Sequence, residues 1–138
     1  MKTIKLHAGE YEITLLTEEE YEAHREQIPP VNHWWWLRSP GFYSNRAAGV
    51  NDGGSVDVYG LNINYGNLAV RPALKSAIFN LPIGEKFIAL GNRWIVIDDG
   101  FAISEDVITH RRYDRKSNVW ETSELRQWLE EWAKEGET

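Results

Sequence analysis

Apolar and polar positions alternate in short runs through most of the first hundred residues, which is the period of a half-buried strand rather than a helix. Residues 2–8 and 11–16 predict two short strands. In the second, Glu10-Tyr11-Glu12-Ile13-Thr14 alternates before the pair Leu15-Leu16. A helix should follow from Glu18 to near Gln27, where Pro29-Pro30 cannot continue it. Its start is marked by Thr17 and Glu20 at capping-box spacing, with Leu16 and Tyr21 placed as a hydrophobic staple. The body of this helix is strongly charged and reads as a solvated face.

Alternation then fails at Trp34-Trp35-Trp36-Leu37. Successive strand side chains point to opposite faces, so a continuous apolar run needs cover on both. Residues 34–39 are therefore expected to be a central strand. Strands at 47–50 and 55–59 should be joined by the turn Asn51-Asp52-Gly53-Gly54, followed by a bend at Gly60 and a further strand at 61–65. Gly66-Asn67 predicts another turn before a strand at 68–74, whose edge Pro72 should leave unpaired. After a connector at 76–83, residues 85–90 and 93–98 predict a hairpin around Gly91-Asn92. A turn at 98–100 leads to a strand at 101–104, and 109–117 reads as a polar loop. Leu125, Trp128, Leu129 and Trp132 fall at i, i+3, i+4 and i+7 and predict a helix over 123–134, with Trp120 packing back on it. The tail 135–138 should fray. Two helices and a larger set of short, mostly antiparallel strands make an α+β fold.

The chain has 138 residues, 42% of them apolar and 26% charged, enough for one domain with its own core. It has no cysteine, which excludes a disulfide framework, a thiolate metal site and a cysteine nucleophile. Met1 to His7 lacks the apolar centre of a secretion signal, and no run approaches a membrane span. The net charge of −6 argues against a general nucleic-acid binder.

Composition changes sharply between 41 and 67. Those residues include six Gly, five Asn, three Tyr and two Ser, and no Lys. Tyrosine gives large contact area at low entropic cost, and Ser, Gly and Asn give adaptable hydrogen bonds, as in antibody binding loops. Tyr43, Asn45, Arg46, Tyr59, Asn62, Asn64 and Tyr65 are the expected contacts of a recognition surface. The same composition would also serve plain hairpin turns. Arg38 and Arg71 sit in apolar strands. Each either anchors loop carbonyls or a carboxylate, or reaches an anionic ligand through its planar fork.

Three stretches carry a resemblance: Trp35-Trp36-Leu37-Arg38-Ser39-Pro40-Gly41, Val50-Asn51-Asp52-Gly53-Gly54-Ser55-Val56 and Val70-Arg71-Pro72-Ala73-Leu74. Together they resemble an uncharacterised domain family of gut Firmicutes and their phages that looks like the C-type-lectin fold. Leu15 to Tyr21 and Trp120 to Leu129 are similar to that family's two helical segments. In the family the hairpin and its helix come first and the tryptophan strand last; here the order is reversed. The resemblance therefore implies a circularly permuted C-type-lectin-like domain: a tryptophan-strand half at 1–74, a linker at 75–84 and a hairpin-and-helix half at 85–138. Exchange of halves between two chains, giving a homodimer, is the alternative to a permuted monomer. It also implies that the long-loop region, as in the variable proteins of diversity-generating retroelements, is the recognition surface.

Candidate chemistry is thin. Calcium would need converging oxygens such as those of Asn51, Asp52 and Asp57, without the sugar-binding lectin triplets. His7, His24, His33 and His110 are scattered with no H-x-x-x-H pair, so no zinc site or other cofactor is expected. His110-Arg111-Arg112-Tyr113-Asp114-Arg115-Lys116 is the one basic cluster. The expectation is a non-enzymatic phage or bacterial binding protein that recognises a host protein or a small anionic ligand. It would act in adhesion or a virion, or in the host cytoplasm by sequestering a component. The alternative is an enzyme or phosphate binder using Arg38, Arg71 and the 110–116 loop. The wider fold's formylglycine-generating chemistry needs cysteines that this chain lacks.

Overall fold

The computed structural model describes residues 1–137. Its elements in order are β1 (Lys2–Thr3), β2 (Glu12–Thr14), α1 (Glu18–His24) with a 3₁₀ turn at Arg25–Gln27, β3 (Trp35–Pro40), β4 (Arg46–Val50) and β5 (Val56–Asn62). There follow β6 (Ala69–Val70), β7 (Ala73–Lys75), β8 (Lys86–Ala89), β9 (Asn92–Asp98), β10 (Phe101–Ser104), β11 (Thr109–His110), a 3₁₀ turn at Trp120–Thr122 and α2 (Glu124–Gly136). The strands form two sheets, ordered β1-β8-β9-β10-β7-β2 and β11-β6-β3-β4-β5. Among the described residues only the β1–β8 and β3–β6 pairs are parallel. The α+β reading holds. No described helix is long and apolar enough to cross a membrane.

The tryptophan strand is central, as its continuous apolar run requires: β3 is third of five. Trp35 and Leu37 join a core shared with Tyr21 of α1 and with Ile95, Ile97 and Ile103 of the other sheet. Trp36, between them, faces a separate core with Tyr113, Trp120, Leu125 and Leu129. The same alternation runs along β9, where Trp94 and Val96 face a third core with Leu74, Phe87 and Ala133. Both sheets are therefore covered on both faces, and α2 closes two of the cores with one apolar stripe. α1 begins with the expected capping box: the Glu20 amide donates to Thr17 Oγ1, and the Thr17 amide donates to Glu20 Oε1.

The structure corrects several boundaries. Residues 68–74 are not one strand. β6 lies in one sheet and β7 in the other, with only Arg71-Pro72 between them. Pro72 breaks the ladder at a crossover rather than marking a free edge. Gly60 does not separate two strands; it kinks the single strand β5 at φ +96, and its register with β4 shifts there. The β8–β9 turn is Leu90-Gly91, both at positive φ, the geometry of a mirror-image tight turn. Leu90 accepts that conformation because its side chain is buried in the core beside α2. The first strands are shorter than expected, Lys2–Thr3 and Glu12–Thr14. The chain from 109 to 117 is not a free loop: Thr109–His110 pairs with β6, and Tyr113 and Asp114 are buried. Of the expected frayed tail, Glu135 and Gly136 are helical and Glu137 accepts a hydrogen bond from the Tyr11 hydroxyl. Thr138 lies outside the described residues.

Candidate functional site

Arg71 occupies the crossover between the sheets. It is completely buried, and its fork donates to three backbone carbonyls: Ser104 at 2.8 Å, Pro29 at 2.9 Å and Glu105 at 3.1 Å. The guanidinium also lies over the Trp35 ring, 5.3 Å from its centroid. Burial lowers its pKa to about 10, still protonated at neutral pH. Ser104 and Glu105 open the β10–β11 crossover and Pro29 lies in the β2–β3 crossover, so one side chain ties together all three places where the described chain changes sheets. Of the two roles open to it in the sequence, Arg71 fills the anchoring one. Arg38 is half-buried; its Nε donates to the Leu15 carbonyl at 3.0 Å and its head lies 3.7 Å from Glu20. Glu20 also meets Lys75 at 2.9 Å. Burial opposes its charge, but the Thr17 amide, Lys75 and Arg38 outweigh this and hold its carboxyl below the ordinary range.

The 41–67 stretch is different. Phe42, Tyr43 and Tyr59 form a cluster of three rings: Phe42 stacks on Tyr59 at 5.6 Å, and Tyr43 meets both edge-on at 4.9 and 5.8 Å. The cluster stands in water, with Phe42 71% and Tyr59 48% exposed. Beside it opens a groove of about 580 Å³ lined by His33, Trp34, Arg46, Tyr59, Asn62 and Tyr65, among others. Arg46 lies 4.9 Å over the Tyr59 ring and donates to the Gly60 carbonyl at 2.8 Å. The structure thus brings four of the sequence-derived contacts, Arg46, Tyr59, Asn62 and Tyr65, into one groove. Tyr43 lies in the adjoining ring cluster. Asn45 and Asn64 are exposed but line no part of the groove; Asn64 has its amide on Asn62 Oδ1, a local turn.

Backbone geometry places this surface. Gly41 and Gly60 approach so closely that a Cβ on Gly60 would lie 3.0 Å from Gly41 Cα and 2.9 Å from the Ala47 carbonyl. The Phe42 amide donates to the Tyr59 carbonyl at 2.8 Å, which sets the two rings face to face. Phe42, Trp34 and His33 belong to this surface although tyrosine and asparagine content does not point to them. In the sequence Phe42 is one of several apolar residues in that stretch, with Val50, Val56, Val58, Leu61 and Ile63, and nothing marks it as exposed.

The remaining candidates are engaged elsewhere. Asn51 Oδ1 accepts from the Gly53 and Ser55 amides, and Asp57 Oδ1 accepts from the Gly60 amide. In the basic cluster, Arg112 and Arg115 share Glu124 at 3.1 and 3.3 Å, and Arg111 lies 4.9 Å over Trp128. Asp114 accepts from the amides of Lys116, Ser117 and Glu124, which docks the loop on the start of α2. Burial opposes its charge, but these amides hold its carboxyl below the ordinary range. The cavity that Arg38 lines contains neither Arg71 nor His110. The histidines are not all scattered in space. His33 and His110, 77 residues apart, face each other with Nδ1 and Nε2 at 3.3 Å.

Residues 5–76 match the model of a family described as a domain of unknown function, DUF6273. No curated protein and no solved structure matches the chain.

Proposed function

The chain belongs to that family, and from this premise we propose that it is a non-enzymatic binding protein whose partner docks on the Phe42–Tyr43–Tyr59 cluster and the adjoining groove. The single observation that carries this reading is the exposure of three mutually packed rings beside a groove edged with Arg46, Asn62 and Tyr65. Large apolar groups clustered in water are a feature of interaction sites, and aromatic residues with Arg dominate binding energy. The partner is a protein segment or a small anionic ligand. The setting is adhesion or a virion, or sequestration of a host component in the cytoplasm.

The domain is a C-type-lectin-like one with its halves permuted. Supporting this, the family match ends at 76, inside the linker at 75–84, and leaves the β8–β9 hairpin and α2 beyond it. In a permuted monomer, the pairing of β7 with β10 is the contact that joins the two halves.

Native mass spectrometry of protein purified gently from lysate of a bacterium carrying this family tests the reading. A retained ligand or partner should be present on the wild type and lost from Tyr59→Ser/Tyr65→Ser. Retention by that variant would reject the proposed surface.

A further inference from the structure

The geometry points to a zinc site formed by His33 and His110 at the rim of the groove. The two imidazoles are exposed, and their ring centroids are 5.0 Å apart at 66°. The facing atoms, His33 Nδ1 and His110 Nε2, are 3.3 Å apart. Zinc binds imidazole nitrogen at 2.0–2.1 Å with tetrahedral angles, which sets two such nitrogens about 3.3–3.4 Å apart. A square-planar copper or nickel centre would draw them to about 2.8–2.9 Å. The observed spacing is that of two imidazole nitrogens on a tetrahedral ion. Without metal, one ring donates its N–H to the other across the same gap, which keeps the pair assembled; zinc binds once the donor ring has passed that proton through solvent to its other nitrogen, so both ligands are neutral imidazoles.

The backbone holds both rings. His110 is in β11 opposite Ala69 of β6, and the Ala69 amide donates to the Trp34 carbonyl at 2.8 Å. His33, just before Trp34, therefore reaches across β6 to meet it. A zinc ion here would staple β11 to the entry of β3. Among the described residues no group of three His, Cys, Asp or Glu could hold a metal ion. The other two coordination positions are thus left to water or to a donor on a docked partner, since His33 also lines the groove. The site does not depend on what the groove binds.

The test is a zinc titration of the chelator-stripped full chain against a chromophoric competitor, with His33→Ala, His110→Ala and His110→Gln. One equivalent should bind, each variant should weaken binding by at least about tenfold, and zinc should raise the melting temperature of the wild type only. His7 and His24 remain in every variant as internal controls. His110→Gln keeps a hydrogen-bonding partner for His33, so it should fold as the wild type does in the absence of zinc. In nitrogen NMR, zinc should shift His33 Nδ1 and His110 Nε2 and leave the other histidines in place. Equal binding by wild type and variants, or zinc-induced shifts confined to other residues, would overturn the site and leave a hydrogen-bonded pair only.

Discussion

Trp36, Trp94 and Tyr113 lie in the interior, whereas Phe42, Tyr43 and Tyr59 use the same ring chemistry in water. The polar atom of each of these three interior rings is engaged: Trp36 Nε1 donates to the Arg111 carbonyl at 2.8 Å, Trp94 Nε1 to Ala89 at 2.7 Å and the Tyr113 hydroxyl to Arg38 at 3.3 Å. The outer tyrosine hydroxyls donate to no protein group among the described residues. These three interior rings are thus satisfied on both their apolar and polar sides, whereas the outer ones pack on one another and beneath Arg46. The difference separates aromatics that hold the fold from aromatics available to a partner.

The comparison breaks first at Arg71, the interior anchor. Arg71→Met should cost about 3–5 kcal/mol, because three buried carbonyls lose their donors at once. Chemical denaturation would show this, and a loss under about 1 kcal/mol would remove the anchoring account. Trp36→Phe keeps an apolar ring but frees the Arg111 carbonyl and leaves a void; about 1–3 kcal/mol is expected by the same measurement. On the outer side, Gly60→Ala forces a side chain into positive φ and against the Ala47 carbonyl. It should cost about 1–3 kcal/mol and disturb the face-to-face setting of Phe42 and Tyr59, visible in their NMR ring shifts.

A smaller effect carries a pH signature. The carboxyl of Glu20 has its folded pKa below the unfolded value, so its contribution is complete above the unfolded pKa and disappears as pH falls through the folded one. Glu20→Gln should cost about 1 kcal/mol at pH 7 and almost nothing once pH has fallen below the folded pKa of the carboxyl, seen as converging unfolding curves.

Much of this was legible from local physics. The run from Trp35 to Leu37 demanded a doubly covered strand, although Trp34, expected in it, lies outside β3 and is 38% exposed, and Thr17 with Glu20 marked the helix start to the residue. The stripe Leu125, Trp128, Leu129, Trp132 marked α2. What failed was non-local. Leu68 to Leu74 reads as one strand because periodicity within a segment carries no information about which sheet receives each end. Arg71 looked like either anchor or ligand contact because its three carbonyls come from residues 29, 104 and 105. The Gly60 bend was correctly placed but read as separating two strands, since a kinked strand and two strands share the same glycine signal. At the site, composition found Arg46, Tyr59, Asn62 and Tyr65, while His33 and its contact with His110 arise only from strand order.

The most direct test of the division is equilibrium unfolding of Phe42→Ser/Tyr43→Ser/Tyr59→Ser beside Arg71→Met. The three surface substitutions together should cost no more than about 1 kcal/mol, well below the single interior one. A triple variant that loses as much stability as Arg71→Met would show that the outer rings hold the fold and would contradict their assignment to a partner.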